Sequence, residues 1–190
     1  MNYKNYLKDG GVIVQIGAYD GISFENYGLQ DLINQGNYTC HLIEPQEDAF
    51  ETLQNTYANA KSDVKFHNCA IYTEDGEMPF LKQQEYSSFV LPDPAGVMVT
   101  VKTKRLKTFF NENSITEISG LFLDVEGVED EIIHQLFDET EVRPDFIRYE
   151  YPHLKNLPEL EAYIEQHGYI IYQCPYFWCD KICVRSNLIS

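Results

Sequence analysis

The sequence predicts an α/β protein with a doubly wound, mostly parallel sheet closed by an antiparallel C-terminal hairpin. Three observations carry that prediction. Residues 12–21 read V-I-V-Q-I-G-A-Y-D-G, an apolar β-branched run that ends in a turn holding Gly17 and Gly21. A helical pattern and then a second apolar run follow, C-H-L-I at 40–43, closed by Glu44. Beyond it, strand-like runs alternate with segments of helical period, which in one sheet means parallel strands crossed by helices.

Each element has its own signal. The β-branched run before Gly17 suits a pleated surface. Ile22, Phe24, Tyr27, Leu29, Leu32 and Ile33 recur at helical spacing and predict a first helix over 22–33. Pro45 and Gln46 open a second helix over 46–59, with Ala49, Phe50, Leu53 and Tyr57 on its apolar side. Residues 64–68 form a third short strand, and 70–76 turn, with Asp75-Gly76 as the turn signal. From about 77 to 104 short β-like runs at 78–81, 88–91 and 97–103 are broken by P-D-P and charged residues. That stretch reads as an irregular insertion within one domain spanning 1–190. A short helix covers 106–111. The run L-F-L-D-V at 121–125 is the strongest remaining strand, followed by a helix with Val128, Ile132, Ile133, Leu136 and Phe137. A further strand at 146–149 ends in Glu150, a helix over 157–167 stops at Gly168, and 169–172 with 181–184 make the closing hairpin.

Composition narrows the function. A chain of 190 residues with 44% hydrophobic residues buries a substantial core. The formal net charge of −16 repels phosphate backbones and argues against a nucleic-acid partner. The one basic stretch, K-T-K-R-L-K at 102–107, reads as a solvated strand-to-helix junction. Five cysteines without a paired pattern or a C-x2-C knuckle suggest a reducing compartment and no zinc site. With no apolar run long enough to span a bilayer and no leader pattern, a cytoplasmic protein without a membrane partner is expected. Oligomeric state is not legible in the chain.

The chemistry lies at the strand ends, where open α/β sheets bind ligands. Strand, glycine turn, helix, strand and acid make a nucleoside-binding unit, the acid accepting hydrogen bonds from ribose hydroxyls. A dinucleotide site wants G-x-G-x-x-G. Here the spacing is G-x-x-x-G, and Asp20 places a negative charge where phosphates would sit. A cationic, phosphate-free nucleoside such as S-adenosylmethionine fits instead. Gly17, Ala18, Asp20 and Gly21, then Glu44 and Pro45, then Asn68 and Ala70 are expected to hold its methionyl and adenosyl parts. Asp124, Glu126, Glu150 and His153 face the acceptor in this reading. On a continuing strand Asp124 and Glu126 would point to one face. Glu129 is either a helix N-terminal charge or a site residue, and His153 either a base or a cap for the next helix. These carboxylates could supply a general base, or could hold a divalent cation that acidifies the acceptor hydroxyl. Tyr86 and Phe89 could form a lid or an acceptor wall.

The same motifs, together with N-C-A-I, T-E-D-G, the pair Ser87-Ser88, L-K-T-F-F, F-L-D-V-E-G-V-E, R-P-D-F-I-R-Y-E and H-G-Y, resemble the FkbM-type methyltransferases. The match spans about residues 11–185 in order, with L-D-V-E-G-V-E the most specific part. Tyr19 departs from it, since the family usually shows asparagine there. The resemblance implies a Rossmann-like class I methyltransferase sheet, S-adenosylmethionine as cofactor, and O-methylation of a sugar, glycan or polyketide-like hydroxyl. Two rivals stand beside it: a non-catalytic nucleoside-binding module, and a nicotinamide-dependent sugar enzyme, disfavoured because the third glycine of the dinucleotide turn is missing.

Overall fold

The structure is a computed structural model that describes residues 5–22, 28–83, 87–90 and 96–189, the Gln35 side chain excepted. Its strands are β1 (Val12–Ile16), β2 (Thr39–Ile43), β3 (Asp63–His67), β4 (Ala70–Ile71), β5 (Gly76–Lys82), β6 (Val97–Lys104), β7 (Gly120–Leu123), β8 (Phe146–Glu150), β9 (Tyr169–Gln173) and β10 (Asp180–Arg185). Its helices are α1 (Leu29–Gln35), α2 (Glu47–Thr56), α3 (Leu106–Glu112), α4 (Glu129–Glu139) and α5 (Leu157–Gln166).

The main sheet has the order β3-β2-β1-β7-β8-β10-β9. The first five pair in parallel, and β10 runs antiparallel to both β8 and β9. This is the doubly wound sheet with the expected C-terminal hairpin. Alternation along the strands feeds two cores. Val14, Ile16, Leu121, Leu123, Ile147 and Tyr149 pack with α3, α4 and α5 on one face. Ile13, Leu42, Phe122, Phe146 and Ile182 pack with α1 and α2 on the other. Strands covered on both sides must be apolar at nearly every position, and Gly120–Leu123 is buried throughout. The chain winds outward from β1 to β3 and returns at β7, beside β1. The crevice at that reversal is where such sheets take ligands.

Residues 77–104 do more than interrupt the core. β5 and β6 form an antiparallel pair that joins β4 in a second sheet, ordered β4-β6-β5, around Ala70, Phe80 and Val101. Of the strand expected at 88–91, the described residues 88–90 show a bridge between Leu81 and Ser88, and Tyr86 and Leu91 lie outside the described residues. Asp75 accepts hydrogen bonds from the Arg105 amide and the Thr108 hydroxyl, so the turn before β5 serves the start of α3. The basic junction carries ion pairs from Lys104 to Glu112 and from Arg105 to Glu139.

Two expected elements differ. The first helix described is Leu29–Gln35, with Gly28 in left-handed backbone at its N-cap, while residues 23–27 of the expected helix lie outside the described residues. Phe24 and Tyr27 lie outside the described residues, and Ile22 is exposed. The strand expected to reach residue 125 stops at Leu123. Among the described residues all five cysteines are free, and no helix is long and apolar enough to cross a membrane.

Candidate active site

The turn after β1 is held by its neighbours. The Gly17 and Ala18 amides both donate to the Ile43 carbonyl, at 3.1 and 3.0 Å. Gly17 has φ 79°, and a Cβ there would collide with the Asp124 carbonyl oxygen. Gly21 has φ 78°, and a Cβ there would lie 2.6 Å from the Tyr57 ring. Both glycines are therefore required by chain packed on chain. Ala18 is fully buried, and the Asp20 carboxylate accepts the Ile22 amide at 2.9 Å. Of this turn only Gly17 and Tyr19 line the main cleft. Ala18, Asp20 and Gly21, expected to hold the cofactor, are not among the residues that line it, and the acid that borders the cleft beside Gly17 is Asp124. Tyr19 has φ 45°, a conformation that asparagine tolerates better than a bulky residue.

Glu44 ends β2 and is buried. Its two carboxylate oxygens accept the amides of Tyr19 at 2.9 Å and Gln46 at 2.8 Å, tying the two ligand-side turns together. Burial pushes its pKa up to about 7 against the pull of those hydrogen bonds. The Asn68 amide group donates to the Glu44 and Pro45 carbonyls. Asn68 thus positions this turn from outside and does not line the cleft, whereas Pro45, Gln46 and Ala70 do.

The end of β7 repeats the device. Glu129, on the first turn of α4, accepts the Val125 amide at 2.9 Å and the Gly127 amide at 3.0 Å. It braces the loop, and burial raises its pKa to about 7. Glu126 within that loop has φ 55°. Strand alternation therefore does not reach it, and the one-face argument for Asp124 and Glu126 fails even though both line the cleft. His153 Nε2 lies 3.2 Å from a Glu126 carboxylate oxygen. It does not cap α5, whose N-cap is Asn156. Ser88 donates to the Glu126 carbonyl at 2.7 Å, joining the insertion to this loop.

Acids crowd this corner. Asp124 is held well above the usual carboxylate range by burial and then by repulsion from Glu150, Glu126, Glu129 and Asp180. Among the described residues its carboxylate makes no hydrogen bond or ion pair. Asp180 pairs with the buried Arg148, whose guanidinium stacks over Phe177 at 4.4 Å. The carboxylate or imidazole donor atoms of Glu126, Glu150 and His153 lie within 4.8 Å of one another, a set that could hold a metal ion.

The main cleft is partly open to solvent. Ile43, Cys69, Ile71, Phe80, Phe89 and Val128 supply apolar walls. A smaller cavity lies beside it, lined by Gln15, Arg148 and Asp180, and Asp124 borders both. Glu150 and His153 flank the main cleft without lining it. Sequence reasoning missed Tyr19, Gln46, Arg148 and Asp180. For Arg148 a signal existed, a charge inside the apolar run F-I-R-Y.

These residues fit S-adenosylmethionine. Apolar walls suit a purine, a buried acid ends β2 where ribose hydroxyls need an acceptor, and an acid beside Gly17 suits a sulfonium.

Comparison with protein families matches the chain to the methyltransferase FkbM domain over residues 15–171. No curated protein matches it in sequence. Among solved structures, the fibrillarin pre-rRNA processing protein of Methanococcus jannaschii is 12% identical with a TM-score of 0.53, over 98% of this chain and 69% of that one. The precorrin-6y C5,15-methyltransferase of Geobacter metallireducens is 14% identical with a TM-score of 0.47, over 90% of this chain and 70% of that one. The nicotinamide alternative falls with the family match: the chain belongs to the FkbM methyltransferases, enzymes that depend on S-adenosylmethionine.

Proposed function

We propose that the protein methylates a hydroxyl oxygen of a sugar, glycan or polyketide-like acceptor, with Asp124 as general base. The observation that supports this reading is the Asp124 carboxylate itself: it borders the cleft, makes no hydrogen bond among the described residues, and is crowded by four other acids. A carboxyl whose pKa is raised is a stronger base once ionised, and a hydroxyl nucleophile needs one. S-adenosylmethionine supplies the activated methyl group. Asp124 takes the hydroxyl proton as the acceptor oxygen attacks. Glu44 holds the cofactor's hydroxyls, and the apolar walls exclude water. The net charge of −16 supports an acceptor without phosphate, and the free cysteines support a cytoplasmic setting. A second version has Glu126, Glu150 and His153 holding a divalent cation, favoured by their convergent donor atoms.

The test is release of S-adenosylhomocysteine on a panel of hydroxylated acceptors. Asp124→Asn is expected to lower turnover roughly 10²–10⁴-fold while cofactor affinity stays near that of the unmodified protein. Equal turnover in the variant removes Asp124 as base. Full activity in excess chelator removes the metal version. Cofactor binding without transfer to any acceptor favours a non-catalytic module.

A further inference from the structure

The turn between β9 and β10 reads C-P-Y-F-W-C. Asp180, the first residue of β10, pairs with Glu150, the last of β8. The turn therefore emerges at the same end of the sheet as Asp124 and Glu126. Its side chains divide sharply. Phe177 is 4% exposed beneath the Arg148 guanidinium, while Tyr176 is 53% and Trp178 78% exposed. Trp178 is the chain's only tryptophan. A ring of that size turned to water forfeits the burial that its area favours.

The Trp178 backbone is firmly held. Its carbonyl accepts the Tyr151 hydroxyl at 2.7 Å and the Gln173 amide at 3.0 Å. The backbone is thus ordered before binding, and only the side-chain rotamer remains to be fixed. The next residue reaches the acids: Cys179 Sγ and the carboxylates of Asp180 and Glu150 lie within 4.8 Å of one another. Glu150 is equally close to Glu126 and His153, and Glu126 lines the cleft. The carboxylates thus run from the cleft to Cys179, the residue that follows Trp178 in the chain.

That combination selects a ligand chemistry. An aromatic face packs against the C–H face of a pyranose, as it would against any apolar surface. Carboxylates accept hydrogen bonds from its hydroxyls. An anionic acceptor would be repelled by the same acids. We propose that Trp178 and Tyr176 form an acceptor subsite that stacks on an uncharged sugar ring, whose hydroxyls meet Glu150 and Glu126. This choice of acceptor rests on the methyl-transfer reading above.

A single tryptophan makes the test direct, because intrinsic emission reports on Trp178 alone. The protein saturated with S-adenosylhomocysteine is titrated with methyl glucoside, methyl mannoside, methyl rhamnoside and cellobiose. A saturable blue shift with at least one of them is expected. In Trp178→Ala, KM for a methylated saccharide should rise at least tenfold with kcat within about twofold, and Trp178→Phe should retain most of the affinity. S-adenosylhomocysteine binding by calorimetry should be the same in all three proteins. No shift with any saccharide, or an unchanged KM in Trp178→Ala, overturns the subsite. So does a shift seen only with phosphatidylcholine vesicles or only on raising the protein concentration. Transfer to a hydroxyl that leaves Trp178 emission unaffected also removes the subsite but keeps the methyltransferase. Failure to bind S-adenosylhomocysteine removes the reading beneath it.

Discussion

Glu44 has a structural role in the fold beside the ribose-binding role proposed for it. Its carboxylate already accepts two loop amides, and the remaining lone pairs are what a ribose would use. Glu44→Ala should therefore weaken S-adenosylmethionine binding by roughly 2–3 kcal/mol, since a charged acceptor loses its hydroxyl donors. It should also lower the stability of the free protein, because the Tyr19 and Gln46 amides lose their acceptor. Calorimetry with thermal melts checks both, and unchanged affinity would mean the ribose is held elsewhere. Position at a strand end made Glu44 legible in the sequence. The loop bracing by Glu44 and Glu129 was not, because it depends on where backbone amides point. The reason for Gly17 and Gly21 was hidden in the same way: their φ values and their collisions with Asp124 and Tyr57 appear only once the turn is folded.

At the scale of elements, β7, β8 and β10 place the acids. Strand periodicity identified all three, since their apolar runs lie in a doubly covered sheet. It could not say that β7 ends at Leu123, because no side-chain pattern announces the loop that follows, with its left-handed backbone at Glu126. Nor did it pair Arg148 with Asp180, which depends on the antiparallel register of β8 and β10. The side chains of this pair are both nearly inaccessible. Breaking one partner of such a pair strands a charge in the interior. Arg148→Ala should lower unfolding free energy by roughly 3–5 kcal/mol, and the double variant Arg148→Met with Asp180→Leu should recover most of it. Denaturant midpoints measure both. A loss below about 1 kcal/mol in the single variant would show that water reaches the Asp180 carboxylate.

Across the whole molecule, buried titratable groups set opposing pH dependences. Burial lowers His41 and His67, stacked side by side between β2, β3 and Phe109, to about 4. Between 4 and the ordinary value of 6.5 the unfolded chain binds more protons at these sites, so their contribution rises with pH through that window. Glu44 and Glu129 go the other way. Raised to about 7 from 4.5, they hold protons in the folded chain that the unfolded chain has released, so stability falls as pH rises through that window. Asp124 adds to this fall. The two sets oppose each other from about 4.5 to 6.5, and above 6.5 only the acids still titrate. The free protein should therefore be most stable in the mildly acidic range and lose stability above it. Asp124→Asn removes one of the groups that ionise at a cost. Its melting temperature should exceed that of the unmodified protein by a margin that grows from pH 5 to pH 8. S-adenosylmethionine should narrow that margin more than S-adenosylhomocysteine does, because only the former carries a positive sulfonium to set against the Asp124 carboxylate. Melting curves for both proteins across pH 5–8, alone and with each ligand, measure the effect. Parallel curves without ligand would show that the Asp124 carboxyl is already ionised in the fold at pH 5 and is not held above the usual range. A margin narrowed equally by both ligands would place the sulfonium away from Asp124 and leave the general base to be sought at Glu126 or Glu150.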